Sequence, residues 1–269
     1  MTNKNLSKNT MQSKQIYATY LGGPTIIIEI GGLTFMTDPT LDPEGTFFKL
    51  NETMTERKLA GPALYPEKSV DIVLLSHDQH FDNLDGLGRS FLKEVGEVLT
   101  TKAGAGRLKA NSIGLDPHQQ RTFTAPSGEK IKVTATPARH GPAGIEKITG
   151  DVIGFHIEVD SPDGIQLYIT GDTVYYNEIE SLSKHIQPDY IFIFAGAARP
   201  RGPFNVTMGT NDALDTAAAF PKSILIPVHS EGWSHYTENN TNLRDAFHIL
   251  GIEHQLKVLE PGVLTALSI

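Results

Sequence analysis

The sequence predicts a mixed α/β chain in which two sheets pack face to face and helices cover their outer faces. Three observations carry that expectation. Short runs of β-branched and aromatic residues recur through the 269 residues, bounded by Gly and Pro turns. Segments with apolar residues at helical spacing fall between these runs, most regularly in the second half. The apolar strands end repeatedly in His or Asp, which sets polar chemistry along the strand ends. Two sheets that bury one face on each other and cover the far faces with helices accommodate all of this economically.

Composition narrows the function. An apolar content of 39% supports a substantial core, and a formal charge of −8 argues against a general nucleic-acid or membrane-surface role, because phosphate binding needs a basic face. The absence of cysteine excludes thiolate metal sites, disulfides and cysteine nucleophiles, so any metal must sit on nitrogen and oxygen ligands. The opening MTNKNLSKNTMQSKQ lacks a signal-peptide apolar stretch, and no run approaches the ~20 apolar residues of a membrane span. Residues 1–14 are expected to be a mobile tail, 15–269 one domain, and the protein cytoplasmic.

The first strands are IYATY (16–20), TIIIEI (25–30) and LTFMTD (33–38), separated by Gly22-Gly23-Pro24 and Gly31-Gly32. Pro39 and Pro43 end this meander, and Asp38 serves either a turn or a metal ligand's partner. Residues 43–68 show no clear period and read as a lid or binding loop, with Phe47 and Phe48 either at a pocket mouth or in the core. Loop and helix follow over 83–95, strand and turn over VLTTKAG, then a short helix with its exit over GAGRLKANSIGL. IKVTATP is a strand closed by Pro137, and VIGFHIEVD alternates so that His156 faces solvent. IQLYITGD, DYIFIFAG and ILIPVH are buried strands, with helices over 176–186, 209–220 and 241–250. LKVLEPG and LTALSI close the chain as strands.

The stretch with the densest chemistry is DIVLLSHDQHFDNLD, residues 71–85. A buried strand that ends in His77, Asp78, His80, Asp82, Asn83 and Asp85 crowds imidazoles and carboxylates into one volume, where a shared cation offsets their burial. Three more strand ends deliver His140, Asp172 and His229. Imidazole and carboxylate donors suit Zn, Mn or Fe, and a catalytic site keeps one position for water. His118, His185, His248 and His254 lie in loops or near helix ends and receive no role.

These motifs, from TIIIEIGGLTFMTDP through LLSHDQHFDNLD, TPARHG and YITGDT to IPVHSEGW and LEPG, resemble the metallo-β-lactamase superfamily, in its lactonase-like and phosphodiesterase-like branch of metal-dependent hydrolases. The resemblance implies a four-layer αββα sandwich. It implies ligands from an HxHxDH loop, a later His, an Asp bridging two metals and a final His. Carried over, these are His80, Asp82, His140, Asp172 and His229. Two positions depart from the pattern. The first His of the motif falls on Asp78 in ungapped register, or on His77 if the loop bulges, and both remain candidates. The last His is Asn83, a poor ligand beside imidazole, which weakens a second metal position. His235, six residues past His229, either supplies a replacement nitrogen, acts on the substrate, or is a surface loop residue.

The resemblance further implies a metal-bound water that attacks a carbonyl or phosphoryl centre, with Asp82 orienting or deprotonating it. Arg139, Arg199 and Arg201 are candidate anchors for a substrate phosphate or carboxylate. The expected function is therefore hydrolysis of an ester, lactone or phosphoester in a small anionic metabolite, with one or two ions, Zn or Mn. The rivals are a phosphodiesterase on a lipid-like or nucleotide substrate and a non-catalytic binding protein that keeps a structural metal. The expected partner is a small molecule, not nucleic acid or membrane, with self-association open.

Overall fold

The computed structural model describes residues 16–49, 52, 55–66, 69–161 and 164–268, so the tail expected over 1–14 lies outside the described residues. The chain begins with β1 (Ile16–Gly22), β2 (Thr25–Ile30) and β3 (Leu33–Thr37), then a ribbon of β4 (Phe47–Lys49) and β5 (Thr55–Arg57). β6 (Ile72–Leu74), α1 (Gly86–Phe91), β7 (Glu97–Thr101), α2 (Lys102–Leu108) and β8 (Ser112–Leu115) follow. Next come β9 (Gln120–Thr124), β10 (Lys130–Pro137), α3 (Glu146–Thr149), β11 (Ile153–Asp160) and β12 (Gln166–Ile169). The chain closes through α4 (Asn177–Leu182), β13 (Tyr190–Phe194), α5 (Thr210–Ala219), β14 (Ile224–Val228), α6 (Asn240–Ile249) and β15 (Leu264–Leu267).

One sheet has the order β15-β1-β2-β3-β6-β7-β8 and the other β14-β13-β12-β11-β10-β9. Alternate residues of both sheets meet in one apolar interior, with Ile26, Ile28, Phe35 and Leu74 from the first against Val133, Phe155, Ile169 and Phe192 from the second. The far face of the second sheet, through Tyr168, Ile191, Ile193 and Leu225, packs on Ile179 of α4, Ala213 and Ala217 of α5, and Leu243 and Phe247 of α6. The far face of the first sheet, through Met36, Val73 and Val98, packs on Leu84 and Leu92 around α1. The layers run helix, sheet, sheet, helix, and the expected αββα sandwich is the fold observed.

Three local expectations are corrected, and one strand, β9, carries no sequence signal. SIGL pairs in parallel with β7 as β8 instead of ending a helix. β9, largely exposed at a sheet edge, carries no apolar alternation that would mark it as a strand. LKVLEPG makes only the parallel rung of Leu256 with Leu225, because the chain there leaves the second sheet to reach β1 of the first, where β15 pairs. His156 is buried, not solvent-facing: its strand face lies under α4, and its Nε2 is 3.0 Å from Gln166 Oε1.

The segment expected as a lid contains the β4–β5 ribbon, fixed to the body by a bridge between Lys58 and Trp233. Phe48 is buried between Phe81 and Trp233, with ring centroids at 4.8 and 5.3 Å, while Phe47 is exposed under the Arg57 guanidinium. Beneath the ribbon, Lys58 Nζ donates to Asp85 Oδ2 at 2.9 Å and to the Thr40 carbonyl at 2.8 Å. Asp85 also accepts from the backbone N–H groups of Leu41, Asp42 and Gly88, the last capping α1. A buried charge so fully paired is costly to break. Asp85→Ala is expected to lower the urea unfolding free energy by about 3–5 kcal/mol, with the exposed Lys184→Ala as a near-neutral control; equal effects would show that this network does not hold the ribbon.

Candidate metal centre

The strand ends that face one edge of the sandwich supply the site. In the first sheet β3 and β6 run parallel and end at Asp38 and at the 76–83 loop. In the second, β12 and β14 run parallel with β13, and β10 shares their direction through antiparallel β11, so His140, Asp172 and His229 emerge at a common edge. The turn before Asp172 requires Gly171: its φ is +62°, and a Cβ there would stand 2.7 Å from the Ile153 carbonyl oxygen and 2.9 Å from Ser76 Cβ. His229 itself holds φ of 52°, a strained conformation for a residue with a side chain, pinned by its N–H donating to the Gly23 carbonyl at 2.7 Å.

Among the described residues three groupings of ligand atoms form, each within 4.8 Å: His77, His80, His140 and Asp172; Asp82, Asp172 and His229; and Glu56, Asp82 and His235. In the first, His80 Nδ1 is 2.9 Å from His77 Nε2 and 3.0 Å from His140 Nε2, and Asp172 Oδ2 is 3.8 and 3.5 Å from the same two nitrogens.

The proton positions follow from the outer partners. His140 Nδ1 is 2.7 Å from the Val206 carbonyl, which only accepts, so Nδ1 carries the hydrogen and Nε2 offers a lone pair. Ser76 N–H and Oγ–H both donate to Asp38 Oδ1, at 2.7 and 3.0 Å. Ser76 Oγ therefore accepts from His77 Nδ1 at 2.9 Å, and His77 Nε2 is also a lone pair. Burial holds His77 well below the ordinary imidazole range, and burial with neighbouring imidazoles brings His80 to about 4. His140 falls to about 4 through burial, against the pull of its Val206 hydrogen bond.

These neutral rings test the fit of a cation. The two N···N contacts to His80 Nδ1 share at most one proton, so at least one sets lone pair against lone pair. Ligands of one tetrahedral ion bonded at ~2.0–2.1 Å stand about 3.3 Å apart, which this cradle approaches. Three imidazole nitrogens and a carboxylate oxygen suit a divalent ion.

Beside it the charges are coupled. Burial acts to raise Asp82, but His235 and His229 outweigh it and hold the carboxyl well below the usual range. Asp172 is raised, because burial and Asp82 outweigh the pull of His229. His229, lowered by burial but drawn up more strongly by Asp172, Asp82 and Asp38, reaches about 9. Its Nε2 lies 3.3 Å from Asp82 Oδ2 and its Nδ1 3.4 Å from Asp172 Oδ1. Asn83 Nδ2 donates to that same Asp172 Oδ1 at 3.2 Å.

The structure thus gathers His77, His80, Asp82, His140, Asp172, His229 and His235. Asp78 points elsewhere: Arg107 Nε donates to its Oδ2 at 3.0 Å, and Arg89 donates to its carbonyl. The bulged register turns His77 to the cluster. Arg201 lines the cleft with Glu56, His80, Asp82 and His235. Arg139 stacks over Tyr176 at 4.4 Å, and Arg199 donates to Asn205 Oδ1, so neither lines that cleft. The sequence reading missed Glu56. It sits in a polar ribbon opposite Phe48, and no local spacing sets it apart.

The cleft has a free volume of about 20 Å³, room for about one water. A larger cavity of about 430 Å³ lies between β10, β11 and α4, but none of the gathered residues lines it, so the chemistry places the site in the smaller one.

A family model described as a beta-lactamase superfamily domain matches residues 34–230. The UPF0173 protein YddR of Bacillus subtilis (strain 168) is 28% identical over 255 residues, covering 91% of this chain and 97% of that one. A UPF0173 metal-dependent hydrolase of Pelotomaculum thermopropionicum is 27% identical over 255 residues, covering 91% and 96%. Among solved structures, an isothiocyanate hydrolase from Delia radicum gut bacteria superposes with a TM-score of 0.81 at 22% identity, covering 94% of this chain and 100% of that one. A possible metal-dependent hydrolase from Veillonella parvula superposes at 0.78 and 21% identity, covering 95% and 100%. Both structural likenesses speak to the fold.

The Asp38–Ser76–His77 chain of hydrogen bonds holds the His77 ring with Nε2 toward the cradle. Ser76→Ala is expected to weaken divalent-metal affinity about 10–100-fold with every ligand intact; competition with a chelator measures it, and unchanged affinity would remove Ser76 from the site.

Proposed function

The chain belongs to the beta-lactamase superfamily and is a metal-dependent hydrolase, and we propose that it cleaves an ester, lactone or phosphoester of a small anionic metabolite with a Zn or Mn ion. The observation that carries this is the cradle of His77, His80, His140 and Asp172, whose lone pairs converge beside a carboxylate, Asp82, that stays ionised. When bound there, a divalent ion supplies Lewis acidity and lowers the pKa of an adjacent water.

The chain's own residues do the rest. Asp82 accepts a hydrogen bond from the attacking water and so aims it, while His235 Nε2, 2.9 Å from Asp82 Oδ2, fixes that carboxylate. Asp172 uses Oδ2 toward the cradle and Oδ1 toward Asn83 and His229. Arg201 stands exposed at the rim, where its guanidinium receives the substrate's carboxylate or phosphate. The cleft is narrow, about 20 Å³, and Arg201 is among the residues that line it, so the anionic part of the substrate is received at the Arg201 rim.

A panel of lactones, aryl esters and phosphodiesters, with an isothiocyanate added because a neighbour of the same fold is named for that activity, tests the proposal with Zn- and Mn-loaded protein. Turnover that disappears with chelation supports it, and metal retention without turnover on any of these would favour a binding protein.

Asp172→Asn replaces a carboxylate by a near-isostere, so the fold should persist while metal content and turnover fall steeply; full occupancy with undiminished activity would refute the role. The pH dependence follows from the two imidazoles at about 4. A lowered imidazole pKa means the neutral, ligating ring persists in acid, so the ion should be retained to roughly pH 5 and lost as pH falls through about 4. Dialysis at stepped pH with elemental analysis measures this, and loss already near pH 6.5 would contradict the ligand set.

A further inference from the structure

Glu56, Asp82 and His235 come from β5, from the loop after β6 and from the loop after β14, and they meet only in the folded chain. The Glu56 and His235 side chains are 9% and 8% exposed, so the wall they form is dry but reaches the cleft. His235 Nε2 is 2.9 Å from Asp82 Oδ2, whereas its Nδ1 has no hydrogen-bond partner among the described residues and stands 3.6 Å from Glu56 Oε1, too far for a hydrogen bond. Two carboxylates and an imidazole, one donor atom of each within 4.8 Å of the others, make a divalent-cation donor set.

The neighbouring set, Asp82, Asp172 and His229, is less available. Asp172 Oδ2 faces the His77–His80–His140 cradle, and its Oδ1 already accepts from the Asn83 amide, so a donor occupies the place where a ligand lone pair is needed. His229 is fully buried between the rings of Phe194 and Tyr236, at 5.1 and 4.8 Å, and does not line the cleft. Glu56, Asp82 and His235 all do.

We propose that a second divalent cation binds on Glu56, Asp82 and His235, at the cleft wall, with Glu56 and His235 standing in for the imidazole that position 83 lacks. The inference rests on the first ion in the His77–His80–His140–Asp172 cradle. Arg201 lines the same cleft as Glu56, Asp82 and His235, so the second ion would be held where the incoming anionic group is received. The site is a property of this chain's ribbon, since Glu56 reaches it only because β5 is fixed across to Trp233 through Lys58.

The test uses the full chain stripped of metal and titrated with Co²⁺, read by absorption and by elemental analysis after equilibrium dialysis. Wild type should take up two Co²⁺, one tight and one weaker. Glu56→Gln and His235→Gln should each weaken the second at least tenfold and leave the first, whose retention shows that the variants are folded. His229→Asn should leave the second in place. Saturation of wild type at one ion, an unchanged second ion in both Glu56→Gln and His235→Gln, or its loss in His229→Asn alone would overturn the proposal. Failure to bind any ion would instead sink the cradle on which it rests.

Discussion

Like and unlike charges share one small buried volume at the edge of the sandwich, and the state of each imidazole there answers to that crowding. Asp38, Asp82, Asp172 and Glu56 stand with His77, His140 and His229 inside the protein, where an isolated charge is expensive. The protein meets this by dividing the imidazoles into two classes. His77, His80 and His140 are pushed toward neutrality and present lone pairs, whereas His229 and His235 are drawn up by the carboxylates they face. The division follows the partners each ring finds. A ring whose outer nitrogen meets a carbonyl or a serine hydroxyl is left with a free lone pair on the inner one. A ring set between two carboxylates is favoured as a cation.

The two sheets contribute unequally but jointly. His77, His80 and Asp82 follow a strand of the first sheet, and His140, Asp172 and His229 follow strands of the second. The cradle therefore spans the seam between sheets, and an ion there links them at an edge that the apolar interior does not reach. The apolar interior of Ile26, Phe35, Phe155 and Phe192 is contributed by both sheets as well.

Much of this was legible in the sequence. The apolar runs ending in His140, Asp172 and His229 announced both strands and site, because a strand's exit direction is fixed by its own residues and by the Gly or Pro that stops it. Glu56, Ser76 and the choice between His77 and Asp78 were not legible. Glu56 acquires its role by pairing opposite Phe48 in a ribbon that docks on Trp233, a contact between residues 177 or so apart in sequence, as the Arg57 N–H to Ser234 Oγ bond also shows. His77 enters the cradle because Arg107 and Arg89, from two separate helices, take Asp78 away. Arg107 lies 29 positions from Asp78 and Ser234 lies 177 from Arg57, beyond the reach of any local pattern.

The Asn at position 83 shows how one substitution redistributes a site. An imidazole there would have added a lone pair beside Asp172, but the amide adds a hydrogen-bond donor to Asp172 Oδ1 and leaves its own oxygen without a partner among the described residues. Asp172 thus meets the cradle through Oδ2 and the Asn83 amide through Oδ1. Asp82 Oδ2 faces both His229 and His235. At the cleft wall beside it, burial and the Asp82 charge push Glu56 up to about 7, against the pull of His235 and Arg201. Under the proposed function, an anionic substrate approaching that cleft would meet the arginine first, and the carboxylates behind it would oppose any pose that brings the anionic end inward. That charge order from rim to floor would leave the electrophilic end of the substrate facing the cradle.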